Sequence, residues 1–482
     1  MSQNLKAASA EVGGQPRELS PAEAYNLAEQ QKEKAALDFL RQIVGVYEKA
    51  KAGDYPAGVD PAVVQEFVAI VDSKLSNTGL DNAVRLAYRE SAVKHGLKQI
   101  DPNSPDFEND LKRFHENYVT NFPIAAEQES LDGFRDLFSA PTRADGFKEV
   151  AYCVICPFTG KFLMGTNFTI QPESNSVHFV YGFVMPWARG AIGFSKPLVD
   201  TMRNVANEHI AKYPAQYTGE PIITFEKNIL GDMTLGDILM DTAGIDIHNP
   251  PRQDANLTLS SIDQSIRDLI WSRMGGKVVN YNYIQSSLEG VVKIENPRDE
   301  KLAIRFLNKD ATLTAEEKQR AEGIMEKALD GREGGCTVLN LCVFVPPGAT
   351  SVNAEQMKRA METFQGTSVV KDPEGIKDDI YFKASMADLD AKTKDGIVPL
   401  VRIPAFGGAV PGVESYKDAA ILTKLLLQNV TWQELRENSA RPYAEWLQEK
   451  MDAVAPAFAG YKAGQTARQS ATPTSSDAKP GS

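Results

Sequence analysis

The stretch HFVYGFVMPWARGAIGFSKPLVDTMRNVA, His178 to Ala206, decides how this chain is read. It opens as an apolar strand and passes through a glycine-bearing turn. It closes with Leu198, Val199, Met202, Val205 and Ala206 on one face of a helix. A helix N-terminus carries unpaired backbone N–H groups and the positive end of its dipole, so it suits an anion. Gly190 and Gly193 remove side chains that would keep a phosphate from the backbone. A strand-to-helix corner with no ligand has the same pattern, so both readings stand. The chain has no G-x-x-x-x-G-K-[ST], and the turn is not G-x-G-x-x-G with an acidic strand end beyond it. A P-loop nucleotidase and a Rossmann oxidoreductase are therefore unsupported.

Upstream, residues 1–19 read as a flexible polar tail, and residues 20–104 as an all-α extension packed on the strand-bearing region. Ser20-Pro21-Ala22-Glu23 has the form of a capping box with proline at the first helical position. Leu37, Leu40, Ile43, Val44 and Tyr47 come next at helical spacing. Asp60-Pro61 opens a second helix, and a third is expected over Leu80–His95, ending near Gly96. From Glu149 the period changes to that of strands, with a hairpin break at Thr159-Gly160. PIITFEKNI, GKVVNYNYIQ and CTVLNLCVFVP are later strands, the last two separated by a charged, partly helical stretch around Ala315–Leu329. Beyond Pro347 the pattern predicts a helix at Ala354–Phe364, a loop-rich section to Val413, and a helix at Tyr416–Asn429. Thr431 then caps a helix bent or broken at Pro442. Residues 461–482, rich in Ser, Thr, Ala and Gln, read as a disordered tail.

At 482 residues, with 42% hydrophobic and 24% charged residues, the chain holds enough apolar surface for two or three domains. A net charge of −12 argues against a nucleic-acid partner, because phosphate contacts need clustered Lys and Arg. No apolar run is long enough to span a bilayer, and the first residues lack the apolar core of a secretory signal. Four cysteines do not make a disulfide scaffold, so a cytoplasmic setting and no membrane partner are expected.

In the order of its elements, the region 105–350 resembles the GNAT superfamily of acyl-coenzyme A N-acyltransferases. HENYVTNFPIAAEQESLDGF is similar to the first helix and loop of that family, and AYCVICPFTGKFLMGTNFTI to its second and third strands. VHFVYGFVMPWARGAIGFSKPL resembles the fourth strand and pyrophosphate loop, and PIITFEKN the fifth strand. IRDLIWSRMGGKVVNYNYIQSSL resembles the helix, turn and sixth strand that complete it. The resemblance implies an α/β fold with a GNAT-like mixed, mostly antiparallel sheet flanked by helices. The all-α extension precedes it, and a C-terminal accessory region, residues 351–460, comes after it.

It also implies transfer of an acetyl or other acyl group from acyl-coenzyme A to a small-molecule or peptide amine, with no metal. Coenzyme A would be held by Val184 and Met185 on the strand and by Arg189, Gly190, Ala191, Ile192, Gly193, Phe194 and Ser195 in the turn. A backbone N–H at Val184 or Met185 would serve the oxyanion. Three positions depart from the family pattern, the first being Arg189, displaced by one within the loop. Ala191 stands where a central glycine is common, and Trp271 stands where many members have a tyrosine that protonates the leaving thiolate. An indole N–H is no useful acid. The candidate base is Glu226 at the end of the fifth strand, with His178 second, and Tyr281 and Tyr283 are the nearest replacement acids. A solvated carboxylate, a packed histidine and core tyrosines are the alternatives for these four. A GNAT-like coenzyme A-binding or regulatory module without catalysis, or an interaction protein working through its helical flanks, would share much of this pattern.

Cys153 and Cys156 have C-x-x-C spacing, but residues three apart on a strand face opposite sides, so small core residues fit better than a zinc ribbon with Cys336 and Cys342. The carboxylates of KDPEGIKDD and MADLDAKTKD lack EF-hand spacing and read as a solvated charged loop.

Overall fold

A computed structural model describes residues 17–122, 129–188, 195–228 (except 215), 234–236, 247–252, 271, 275–286 (except 282), 297–307, 312–329, 336–346, 348–369, 372–402 and 416–470. The chain divides into two compact units. One comprises Met1–Glu33, Leu230–Arg267 and Phe406–Ser482, and the other Lys34–Ile229 and Asp268–Ala405.

The second unit carries the sheet. Helices α1 (Pro21–Lys51), α2 (Pro61–Leu75) and α3 (Leu80–Gly96) come first, α1 running through the division at Glu33. The expected capping box forms: the Ser20 N–H donates to Glu23 at 2.9 Å, and the Glu23 N–H to the Ser20 hydroxyl at 3.3 Å. Asp60 caps α2 by accepting from the Ala62 N–H. Leu40, Ile43 and Tyr47 are buried as expected, whereas Leu37 is 43% exposed and Phe39 takes its place inside. The region is not purely helical. Leu97–Gln99 forms a three-residue strand β1 that pairs with β2 (Lys148–Ile155), a segment too short to show a period.

Helices α4 (Phe107–Asn121) and α5 (Leu131–Ser139) precede β2, β3 (Phe162–Gln171) and β4 (Ser176–Val184). Then come α6 (Ser195–Ile210), β5 (Ile222–Asn228), β6 (Gly276–Val279) and β7 (Tyr283–Ser286). Next are α7 (Pro297–Leu307), α8 (Ala315–Leu329), β8 (Cys336–Phe344) and β9 (Ser351–Asn353). α9 (Ala354–Phe364), α10 (Ile380–Lys392) and β10 (Ile397–Arg402) complete the unit.

The strand order is β1-β2-β3-β4-β5-β8-β6-β10-β9, with β7 also on β8. Every recorded pair is antiparallel except β4 with β5. This is a mixed, largely antiparallel α/β sheet flanked by helices. One face buries Val154, Phe168, Phe179, Phe225 and Phe344 against α6 and α1–α3, with Phe158 of the β2–β3 hairpin set against Phe67 and Tyr88. The other face packs Cys153, Phe162 and Phe183 on α4 and α5, and Tyr283, Leu341 and Val343 on α9 and α10. Gly165 is a close approach: a Cβ there would meet the Phe183 and Phe114 rings at 2.5 and 2.9 Å.

The loop expected between Phe364 and Val413 contains α10 and β10 instead. α10 is buried at Ile380, Tyr381, Phe382, Ala384, Ser385, Asp388 and Leu389, so it shows no single apolar stripe. Asp379 is its N-cap and accepts from the Tyr381 and Phe382 N–H groups at 2.9 Å.

The first unit gathers α11 (Tyr416–Leu427), α12 (Trp432–Glu437) and α13 (Tyr443–Ser470) with Leu19, Tyr25, Leu235 and Ile247. Thr431 caps α12, and the helix breaks before Tyr443, in keeping with Pro442. α13 reaches Ser470, so the first half of the expected disordered tail is helical, its Ala, Lys, Gln and Arg being good helix formers.

Candidate active site

The parallel ladder between β4 and β5 is short. It runs from Ser176↔Ile222 to Phe179↔Phe225, while β4 continues to Val184 along β3 and β5 to Asn228 along β8. A register shift between Asn167 and Phe168 on β3 places an extra residue, Val180, on β4 where the ladder with β5 stops. Such a bulge bends its strand and re-aims the side chains beyond it. On one face the Trp271 ring lies 5.8 Å from Phe179, 5.3 Å from Phe225 and 5.6 Å from Phe344. Trp271 therefore packs against the last paired residues of the two strands.

Glu226 comes directly after Phe225 and points to the other face. Tyr283 of β7 reaches it across β8 and donates its hydroxyl to Glu226 Oε1 at 2.5 Å. Burial pushes the Glu226 carboxyl up to about 7, while hydrogen bonds from Tyr283 and Gln285 pull it down. Part of the residue's surface stays exposed, but its carboxyl group is enclosed by these partners. Tyr283 is fully buried, and its own ionisation is driven far up by burial and by the Glu226 charge. The Tyr281 ring stands 6.3 Å from that of Tyr283, edge to face. Of the four candidate acids and bases, the fold brings these three together.

His178 lies apart from them in bonding, although it shares their face. Its Nδ1 is 2.9 Å from the Thr224 hydroxyl, and its ring stacks on Phe364 of α9. It is 1% exposed, and burial lowers its pKa to about 3, so it stays neutral. The Met185 N–H donates to the Leu163 carbonyl at 2.9 Å and is committed to that bond. Arg189, Gly190, Ala191, Ile192, Gly193 and Phe194 lie outside the described residues, and Ser195 is the first residue of α6.

Cys153 and Cys156 are buried on opposite faces of the sheet, and Cys342 is also buried. Among the described residues no group of three or more His, Cys, Asp or Glu could hold a metal, and no helix is long and apolar enough to cross a membrane. Of the carboxylates expected in a solvated loop, Asp372, Glu374, Asp390 and Asp395 are exposed, whereas Asp379, the N-cap of α10, is fully buried and Asp388 on that helix nearly so. Asp388, with Gln365 beyond α9, belongs to the surroundings of the two tyrosines: the Asp388 charge acts on Tyr281, and Gln365 bonds to Tyr283. Only the buried side of a helix could have signalled them, and α10 has no distinct one.

Comparison with family profiles, with curated proteins and with solved structures finds no match to this chain.

Proposed function

We propose that the chain transfers an acyl group from acyl-coenzyme A to an amine. The carrying observation is the short parallel β4–β5 ladder in an otherwise antiparallel sheet, with the enclosed carboxyl of Glu226 one residue past its end. A thioester laid where the ladder stops meets strand backbone on one side and the N-terminal end of α6 close in sequence to β4. The start of α6 at Ser195, soon after β4 in the chain, supports phosphate binding by the segment 189–195.

Glu226 has the affinity a base needs near neutral pH: it can accept one proton from the substrate ammonium. The neutral amine then attacks the thioester carbon, the C–N bond forms, and the C–S bond breaks with its electron pair leaving on sulfur. Coenzyme A leaves as thiolate and takes up the proton that the new amide nitrogen gives up, so the absence of a tyrosine at Trp271 does not stop the reaction. Tyr283 orients the carboxyl through its hydrogen bond. The packing of Trp271 against Phe179, Phe225 and Phe344 favours a second reading, a coenzyme A-binding module without turnover.

Thiol release from acetyl-coenzyme A with a panel of amines separates the two. The enzyme reading expects amine-dependent release, lowered about 100-fold or more by Glu226→Gln and partly restored at high pH. Coenzyme A binding without release under any condition selects the binding module.

A further inference from the structure

We infer that Ser385 and Gln365 are positioning residues for the Tyr283–Glu226 pair, clamping the open edge of β7 so that the Tyr283 hydroxyl stays on the Glu226 carboxyl. Among the described residues β7 pairs with β8 alone, with Tyr283 opposite Leu339 and Ile284 opposite Val338. In an antiparallel ladder alternate residues turn their backbone N–H and C=O toward the partner strand, and those between turn them away. Ile284, next to Tyr283, turns both away from β8, and side chains receive them in place of a further strand. The Ile284 N–H donates to the Ser385 hydroxyl at 2.7 Å. The Ser385 hydrogen is shared between the Ile284 carbonyl at 3.2 Å and the Tyr381 carbonyl, one turn back on α10, at 3.0 Å. The Gln365 amide donates to the same Ile284 carbonyl over a longer 3.5 Å and also bonds to Tyr283.

Both clamp residues are fully buried, so water does not replace a bond that either one loses. Gln365 opens a five-residue π-helical turn, Gln365–Val369, that continues α9, and such turns are rare and concentrate at functional sites. A four-residue edge strand without the clamp is free to shift, and a small shift is enough to break the bond from Tyr283 to Glu226. Around the pair, β8 sets Leu341 opposite Glu226, and β7 adds Gln285. The other titratable groups are Tyr281 beside Tyr283, Asp388 of α10, whose charge acts on Tyr281, and His178, bonded to Thr224. The part of the clamp in turnover rests on Glu226 being the base; its hold on the carboxyl does not.

Carbon-13 NMR titration of the full chain, labelled at its glutamate carboxyls, tests the clamp, with the Glu226 signal assigned by its loss in Glu226→Gln. The wild-type carboxyl should titrate at about 7. Tyr283→Phe removes a bond that favours the ionised form, so it should raise that midpoint by about one pH unit or more. Ser385→Ala and Gln365→Leu, neither of which alters a charge, should each raise it by about half a unit or more, and should add little in the Tyr283→Phe background. Phe158→Ala, which weakens packing on the opposite face of the sheet, should leave it in place. If one clamp variant fails to fold, the other decides. A folded clamp variant with the midpoint unmoved or lowered, a shift equally large in the Tyr283→Phe background, or a like shift in Phe158→Ala would overturn the clamp. Midpoints that move as expected in a protein that acylates no amine would keep the clamp and remove the acyl-transfer reading.

Discussion

Replacing Glu226 with glutamine removes a proton site whose affinity the fold has raised. The carboxyl ionises near its ordinary 4.5 in an unfolded chain and near 7 in the folded one, chiefly because burial disfavours the charge. Between those values the folded protein holds a proton that the unfolded chain releases. Stability from this group is therefore present below about pH 4.5 and is lost as pH rises through about 7. The full difference amounts to about 3 kcal/mol, an upper figure because part of the residue still meets solvent. Glutamine has nearly the same volume, and its amide oxygen can still accept from Tyr283. Urea denaturation of wild type and Glu226→Gln should give similar stabilities near about pH 4, with the variant ahead by about 2–3 kcal/mol near about pH 8. His178 acts in the opposite sense, its contribution lost as pH falls from about 6.5 toward about 3, but it is common to both proteins and cancels in the difference. A gap between the two proteins that does not change with pH would refute the enclosed carboxyl, and with it the base.

The packing sets further outcomes. Phe158→Ala should cost about 3 kcal/mol, seen as a lower urea midpoint, because the ring fills a hole beside Phe67 and Tyr88. Asp379→Ala leaves the first N–H groups of α10 unpaired in a buried setting and should cost about 2 kcal/mol in the same assay. Gly165→Val should be more damaging than Gly160→Ala at the hairpin tip, where a Cβ meets nothing; equal losses in melting temperature would contradict the close approach at Gly165. In turnover, Tyr283→Phe should cost less than Glu226→Gln, since it removes an orienting bond and keeps the base; the reverse order in steady-state rates would exchange their roles.

Much of the local structure is legible in the sequence because its causes are local. The Ser20 and Asp60 caps, the break at Thr159-Gly160, and the helices Ala315–Leu329 and Ala354–Phe364 each arise from residues a few positions apart. What the sequence conceals depends on distant neighbours. β8 enters between β5 and β6 although more than a hundred residues separate it from β5 along the chain, and no periodicity announces that. α10 is hidden because it is covered on nearly every side, so its apolar residues keep to no stripe. β1 is three residues long and has no pattern to show. Glu226, Tyr281 and Tyr283 are legible as candidates from their strands, but their meeting across β8 is not, and neither is Asp388, whose helix has the charge pattern of a loop.

Calorimetric titration of coenzyme A into the wild-type chain and a folded Gly193→Val variant tests the central claim most directly. If the turn after β4 holds the pyrophosphate through its backbone, the wild type binds saturably. A valine side chain at 193 would keep the phosphates away, weakening affinity by about 30-fold, the equivalent of about 2 kcal/mol. Wild-type protein that binds no coenzyme A, or a Gly193→Val variant that binds it as tightly as wild type, would contradict the account.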